Sequence, residues 1–220
     1  MTYTGAMPVQ RLRVTFGKGH AIKYISHLDL CQAWERALRR AGVPLAYSQG
    51  YNPHARLQVA IALPVGYTSS AERMDVLLDA PLSPEEFVAK VSPVLPTGLT
   101  LLAVEPIALN APSLQSRLSQ AEYRVYVETT VPPDEVHARI AKLLSAEHYE
   151  QAEPRKPNAR PLDVRPLIHQ LCLEASDNRR VVLRMRLSAG SRGHLRPEVV
   201  LAALGLADAP AHIERTCLDV

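Results

Sequence analysis

Aromatic residues are scarce: eight Tyr, two Phe and one Trp make up 5% of the 220-residue chain. An extended base-stacking platform of the RNA-recognition-motif type, which needs several exposed rings on one sheet, is therefore not expected. Cysteines number three, and Cys31, Cys172 and Cys217 stand far apart in apolar contexts. That pattern supplies no disulfide framework and no zinc or iron–sulfur spacing, which favours a reducing cytoplasm. No apolar run reaches the ~20 residues of a membrane span and no signal peptide opens the chain, so a cytoplasmic protein without a membrane partner is expected. The GxxxxGK[ST], GxGxxG, HExxH and GxSxG patterns are all missing, which removes the usual phosphate-loop, dinucleotide, metalloprotease and hydrolase readings. The spacing of His20, His27 and His54 matches no standard metal site, and no cofactor is expected.

What is present suffices for a folded protein. Hydrophobic residues reach 47%, enough to build a core in one large domain or two of roughly 100 residues. Glycines number ten and prolines eighteen, a balance that suggests stiff, defined connections. The net charge is only +3, but the bases are unevenly placed. Arg11, Arg13, Lys18, Lys23, Arg36, Arg39, Arg40 and Arg56 are accompanied up to Arg56 only by Asp29 and Glu35. From Arg155 to Arg196 ten bases, among them Lys156 and Arg160, stand against Asp163, Glu174 and Asp177. Two basic blocks in separate parts of a chain can combine into one surface for an anionic partner.

Hydrophobic period and turn chemistry predict an α+β protein. Residues 10–16 (QRLRVTF) alternate as a half-buried strand does, and Gly17, Lys18 and Gly19 are expected to break it. Ser26 suits a helix cap with Asp29 three residues on. Leu30, Trp34, Ala37, Leu38 and Ala41 form a core-facing stripe, Glu35 and Arg39 an i,i+4 pair, and Gly42 with Pro44 a stop. Short strands are expected at 45–48 and 57–63, and another at 73–79. A helix starts at Ser83-Pro84-Glu85-Glu86 and ends near Leu95-Pro96, and a strand follows at 99–107. The order β-α-β-β-α-β is the ferredoxin-like arrangement. After a polar linker at 110–120 the pattern repeats, with strands at 123–129, 171–175, 181–187 and 213–220 and helices at 133–146 and from Arg196 to near Gly205. An inserted basic loop is expected at 154–166. The expected organisation is thus two ferredoxin-like (βαββαβ) halves with antiparallel sheets, 9–109 and 121–220.

Chemistry concentrates in residues 23–63. Ser26-His27-Leu28-Asp29 contains the residue types of a catalytic triad, but neighbouring positions at a helix start point apart, and capping accounts for Ser26 and Asp29. His27 stands in the first turn, where free N–H groups attract anions. Tyr51, Asn52 and His54, followed by Arg56, offer a ring for stacking, an amide for base edges and a guanidinium for phosphate; a turn that merely packs Tyr51 is the rival. Arg184 and Arg186 share one strand face, where a solvated sheet face competes with a phosphate-binding one.

The block also resembles a known family. YISHLD at 24–29, RALRRAG at 36–42 and SQGYNPHARL at 48–57 are similar to the signature of the radical SAM-linked protein family of bacteria, a domain of unknown function. Ala55 stands where proline is usual, and PLDVRPLI and ERTCLDV extend the resemblance over nearly the whole chain. It implies a protein that occurs alone or joined to a cobalamin-binding radical SAM enzyme, often encoded near an RNase of the E/G type. The chain has no CxxxCxxC for the radical cluster, so the resemblance points to the accessory half, with a radical SAM enzyme and RNA as partners. The expected substrate-binding surface comprises Lys23, Tyr24, Ser26, His27, Arg36, Arg40, Ser48, Gln49, Tyr51, Asn52, His54 and Arg56, with Arg165, Arg184 and Arg186 from the second block. Two other readings stay open: an RNA-acting enzyme using His27 and His54, and a protein-docking module.

Overall fold

The computed structural model describes residues 7–152, 160–177 and 179–220. The chain divides into two compact units, Met1–Arg117 and Leu118–Val220. Unit 1 runs β1 (Gln10–Lys18), α1 (His27–Arg40), β2 (Leu57–Val59), β3 (Thr68–Leu78), α2 (Pro84–Val91), β4 (Leu99–Ile107) and a single helical turn, α3 (Leu114–Arg117). Its sheet has the order β4-β1-β3-β2, and every neighbouring pair is antiparallel. Leu12, Val14 and Phe16 from β1 and Met74, Val76 and Leu78 from β3 form one core with Leu30, Trp34 and Leu38 of α1 and Phe87 and Val91 of α2.

Local sequence explains both helix ends of α1. Ser26 Oγ accepts from Asp29 N at 3.2 Å while the Asp29 carboxylate accepts from Ser26 N at 3.3 Å, a complete capping box. At the other end Gly42 takes φ +66. Gly42 N donates to Arg39 O and Val43 N to Leu38 O, each at 3.1 Å, the paired bonds of a Schellman stop in which glycine adopts the left-handed conformation without a Cβ penalty. α2 repeats the start with Ser83, Pro84 and Glu86. The expected Glu35–Arg39 ion pair is not among those formed by the described residues. Ser26→Ala is expected to cost about 1 kcal/mol, and Ser26→Asn to restore most of it. Urea midpoints at constant m-value check both.

Three expectations change in unit 1. β1 does not stop at residue 16; it continues through Gly17 and Lys18, with register shifts after Thr15 and after Phe16. The strands expected at 45–48 and 57–63 contract because the outer edge of β3 is shared. Ala46 N donates to Leu77 O, Leu77 N donates to Arg56 O, and only Leu57–Val59 remains as a strand. Residues 110–120, polar in sequence, are not a plain connection. Leu114 is fully buried, Gln115 Nε2 donates to Val59 O, and the Ala111 and Pro112 carbonyls accept from Arg11 at 2.6 and 3.1 Å.

Unit 2 runs β5 (Gln120–Glu128), α4 (Pro133–Ser145), β6 (Glu150–Gln151), β7 (Leu162–Asp163), β8 (Ile168–Ser176), β9 (Arg180–Ser188), α5 (Pro197–Ala203) and β10 (Ala211–Asp219). Its sheet has the order β10-β5-β9-β8, again antiparallel throughout. Alternation along β5 and β9 sends Val125, Val127, Leu183 and Met185 inward, where Val136, Ile140 and Val200 are also buried. Among the described residues β6 and β7 pair only with each other. β6 precedes the basic insertion expected at 154–166 and β7 falls within it, while Arg155 and Lys156 lie outside the described residues. No helix among the described residues is long and apolar enough to cross a membrane.

Candidate nucleic-acid interface

Burial sorts the basic side chains before any function is assigned. Arg11 and Arg13 are each only 4% exposed, although strand alternation placed them on a solvent face. Asp75, fully buried on β3, accepts from Arg11 Nε at 3.0 Å and from Arg13 Nε and Nη2 at 2.9 and 3.2 Å. These two arginines neutralise a buried carboxylate and are withdrawn from any partner surface. Lys18 is also buried, and its Nζ donates to the carbonyls of Lys23 and Ile25 at 3.1 and 3.4 Å. Those bonds hold the turn leading into α1, where Lys23 Nζ lies 5.0 Å from the centre of the exposed Tyr24 ring.

The second basic block is neutralised in a different way. Glu122 on β5 pairs with both Arg184 and Arg186 of β9, and Arg124 pairs with Glu174 of β8 at 2.7 Å. The antiparallel register sets Arg186 opposite Glu122 and Arg184 opposite Arg124, so acids 50 to 64 positions away in sequence interleave with the bases. The face is mixed in sign. Arg165 is likewise occupied: its Nε donates to Leu144 O at 3.0 Å near the end of α4 and its Nη1 to Ile168 O at 3.2 Å. This guanidinium ties loop to helix through two of its N–H groups.

Arg186, with Arg184 adding, holds the Glu122 carboxyl below the usual carboxylate range, and Arg124 does the same for Glu174. A carboxyl depressed on folding adds stability above its unfolded value of about 4.3 and loses it as pH falls through the lower folded value. Glu122→Gln is therefore expected to lower the melting temperature near neutral pH and to flatten its decline below about pH 4.3. Parallel acid limbs for the variant and the parent would refute it.

Unit 1 carries four arginines without acid partners among the described residues. Arg36, Arg39 and Arg40 are exposed on α1, Arg56 is half-buried, and none of the four pairs with an acid among the described residues. Arg36 and Arg40, one turn apart, rim a groove of about 350 Å³ together with Ala33 and Ala37; residues 93–96 form its opposite wall. That wall had no place in the sequence reading, although the Pro-Val-Leu-Pro run after α2 was visible as a rigid apolar segment. The loop at 48–54 is pinned at its neck, where Ser48 N donates to His54 O at 2.8 Å and His54 N to Ser48 Oγ at 3.0 Å. Gln49, Asn52 and His54 are exposed, and Tyr51 is 100% exposed. The alternative in which the turn merely packs Tyr51 is thus excluded.

His27 and His54 share no hydrogen bond. His27 Nε2 lies 3.8 Å from Cys31 Sγ one turn along α1, while its Nδ1 is buried and unpartnered. Burial pushes the Cys31 thiol up, which keeps it protonated near neutral pH and a poor nucleophile. Ser26 and Asp29 spend their polar atoms on the cap. The arrangement offers cations, a ring and amide edges to a ligand, with no assembled base–nucleophile pair among these residues.

A family model described as an uncharacterized protein conserved in bacteria (DUF2344) matches residues 11–197. No curated protein matches the chain. Among solved structures, a chain in the crystal structure of a Cbf5-Nop10-Gar1 complex is similar at 12% identity and TM-score 0.53, covering 98% of this chain and 54% of that one. A chain in the structure of an H/ACA RNP bound to a substrate RNA containing 2'-deoxyuridine is similar at 12% identity and TM-score 0.48, covering 94% and 46%. The chain spans about half the length of these solved chains. At such identity the likeness concerns fold alone.

Proposed function

We propose that this chain, which belongs to the family of uncharacterized proteins conserved in bacteria (DUF2344), is an RNA-binding accessory protein whose contact surface is built on unit 1. The observation that carries this reading is the run from Arg36 to the exposed Tyr51 loop and Arg56. No acidic residue occurs between Glu35 and Glu72, and the four arginines in that interval form no ion pair among the described residues. Unneutralised guanidiniums attract phosphate, and an exposed tyrosine beside an asparagine suits an unstacked base.

Lys23, Tyr24 and His27 extend the surface to the start of α1, and Ser26 contributes through the cap. Arg165, Arg184 and Arg186 are left out because their guanidiniums are engaged within unit 2. Both units are read as ferredoxin-like halves, a reading supported by the shared strand order of end, first, third and second elements. The partner is read as a radical SAM enzyme on the strength of the signature at 24–29, 36–42 and 48–57.

The test is binding of the full chain to a fluorescent RNA across a salt series. Three or four phosphate contacts give a slope of log K against log[salt] of roughly −2 to −3 on a single strand. Tyr51→Ala should weaken binding at least ~10-fold through lost stacking, and the Arg184→Ala/Arg186→Ala double variant should leave it within about twofold. Salt-independent or undetectable binding would sink the RNA reading. Co-purification with a radical SAM enzyme that survives nuclease and depends on Tyr51 would mark the loop as a protein-docking site instead.

A further inference from the structure

The α1 groove narrows the class of RNA. Resting on the RNA-binding reading above, we infer that the groove between Arg36/Arg40 and residues 93–96 receives a nucleotide of single-stranded RNA and that the protein discriminates against duplex. At about 350 Å³ it lies at the small end of the ~300–1,000 Å³ typical of ligand pockets, which suits one nucleotide. Duplex RNA is instead recognised by shape along a broad surface, with its bases turned inward and unable to enter such a recess.

The chemistry of the lining agrees with its size. Ala33 and Ala37 make a small apolar floor, and Val94 and Leu95 with their flanking prolines make an apolar wall for a base face. Arg36 and Arg40 stand one helical turn apart, ~6 Å between Cβ atoms. Guanidinium forks bind phosphate bidentately, and their planes stack on bases, a combination that lysine cannot supply. The helix macrodipole accounts for cations in the last turn of α1 but not for the recess between them and residues 93–96. A peptide main chain would fare worse there, because Pro93 and Pro96 offer no N–H to pair with it.

The experiment compares a labelled single-stranded RNA with the same strand annealed to its complement, using the full chain and fluorescence anisotropy. The parent should bind the single strand at least ~10-fold more tightly. Arg36→Ala/Arg40→Ala places a strong helix former at two exposed positions, and circular dichroism verifies that it folds. It should abolish the preference and reduce the salt slope by about 1.4, the share of two phosphate contacts. Arg36→Lys/Arg40→Lys should keep the slope and lose most of the preference. Equal or tighter binding of duplex by the parent overturns this inference while leaving RNA binding intact. Binding of neither form overturns both. An acidic peptide captured by the parent and lost in the alanine variant, with RNA binding unchanged, would overturn it by assigning the groove to a protein.

Discussion

Asp75→Ala is expected to cost unit 1 about 3–5 kcal/mol, the usual consequence of removing one partner from a buried ion pair. The carboxylate is fully buried and shared by two guanidiniums that are themselves nearly inaccessible. The damage falls unequally. Arg11 retains the Ala111 and Pro112 carbonyls, whereas Asp75 is the acid that neutralises Arg13. A buried charge without a counterion is far costlier than the pair is favourable, so replacing all three residues with apolar side chains of similar volume should recover most of the loss. Guanidinium titrations of Asp75→Ala and of the triple replacement decide the matter. A single-variant loss below about 1 kcal/mol would mean that solvent reaches the site and that the network contributes little.

Trp34→Ala should be comparably severe, at about 3–5 kcal/mol for a truncated core aromatic. The ring is fully buried and meets Phe16 edge-on, with centroids 5.0 Å apart and planes at 65°. Its Nε1 is buried without a partner, so Trp34→Phe removes an unsatisfied donor along with some volume and should cost much less than the alanine variant. Circular dichroism is the appropriate probe, because the chain has one tryptophan and both variants lose its fluorescence. If phenylalanine proves as damaging as alanine, the indole N–H has a role that its surroundings do not reveal.

Elements governed by local rules were legible in the sequence. Ser26 with Asp29 and Ser83 with Glu86 marked both capping boxes, and Gly42 marked the stop of α1. Residues 10–16 and 73–79 gave two central strands with the correct faces in the core. The electrostatics were less legible, because the sign of a surface depends on which strands become neighbours. Arg11 and Arg13 read as solvent-facing until Asp75 pairs with both and the carbonyls of residues 111–112 take up Arg11. Arg184 and Arg186 read as a basic stripe until β5 pairs alongside and brings Glu122. The candidate site survives best where it is local: Arg36 and Arg40 share a helix face by spacing alone, and the Tyr51 loop is closed by its own neck. The groove between them and residues 93–96 required α1 and α2 to pack on one sheet, which no single stretch of sequence announces.

The short turn at 114–117 fixes where unit 1 may be cut. An expression fragment ending with β4 would contain every strand and both long helices, yet it would discard the carbonyls that Arg11 uses, the buried Leu114 and the glutamine that holds Val59. Such a fragment would carry an opened ion cluster on one sheet face and invite proteolysis or self-association there. A fragment ending after Arg117 would keep all three of these contacts.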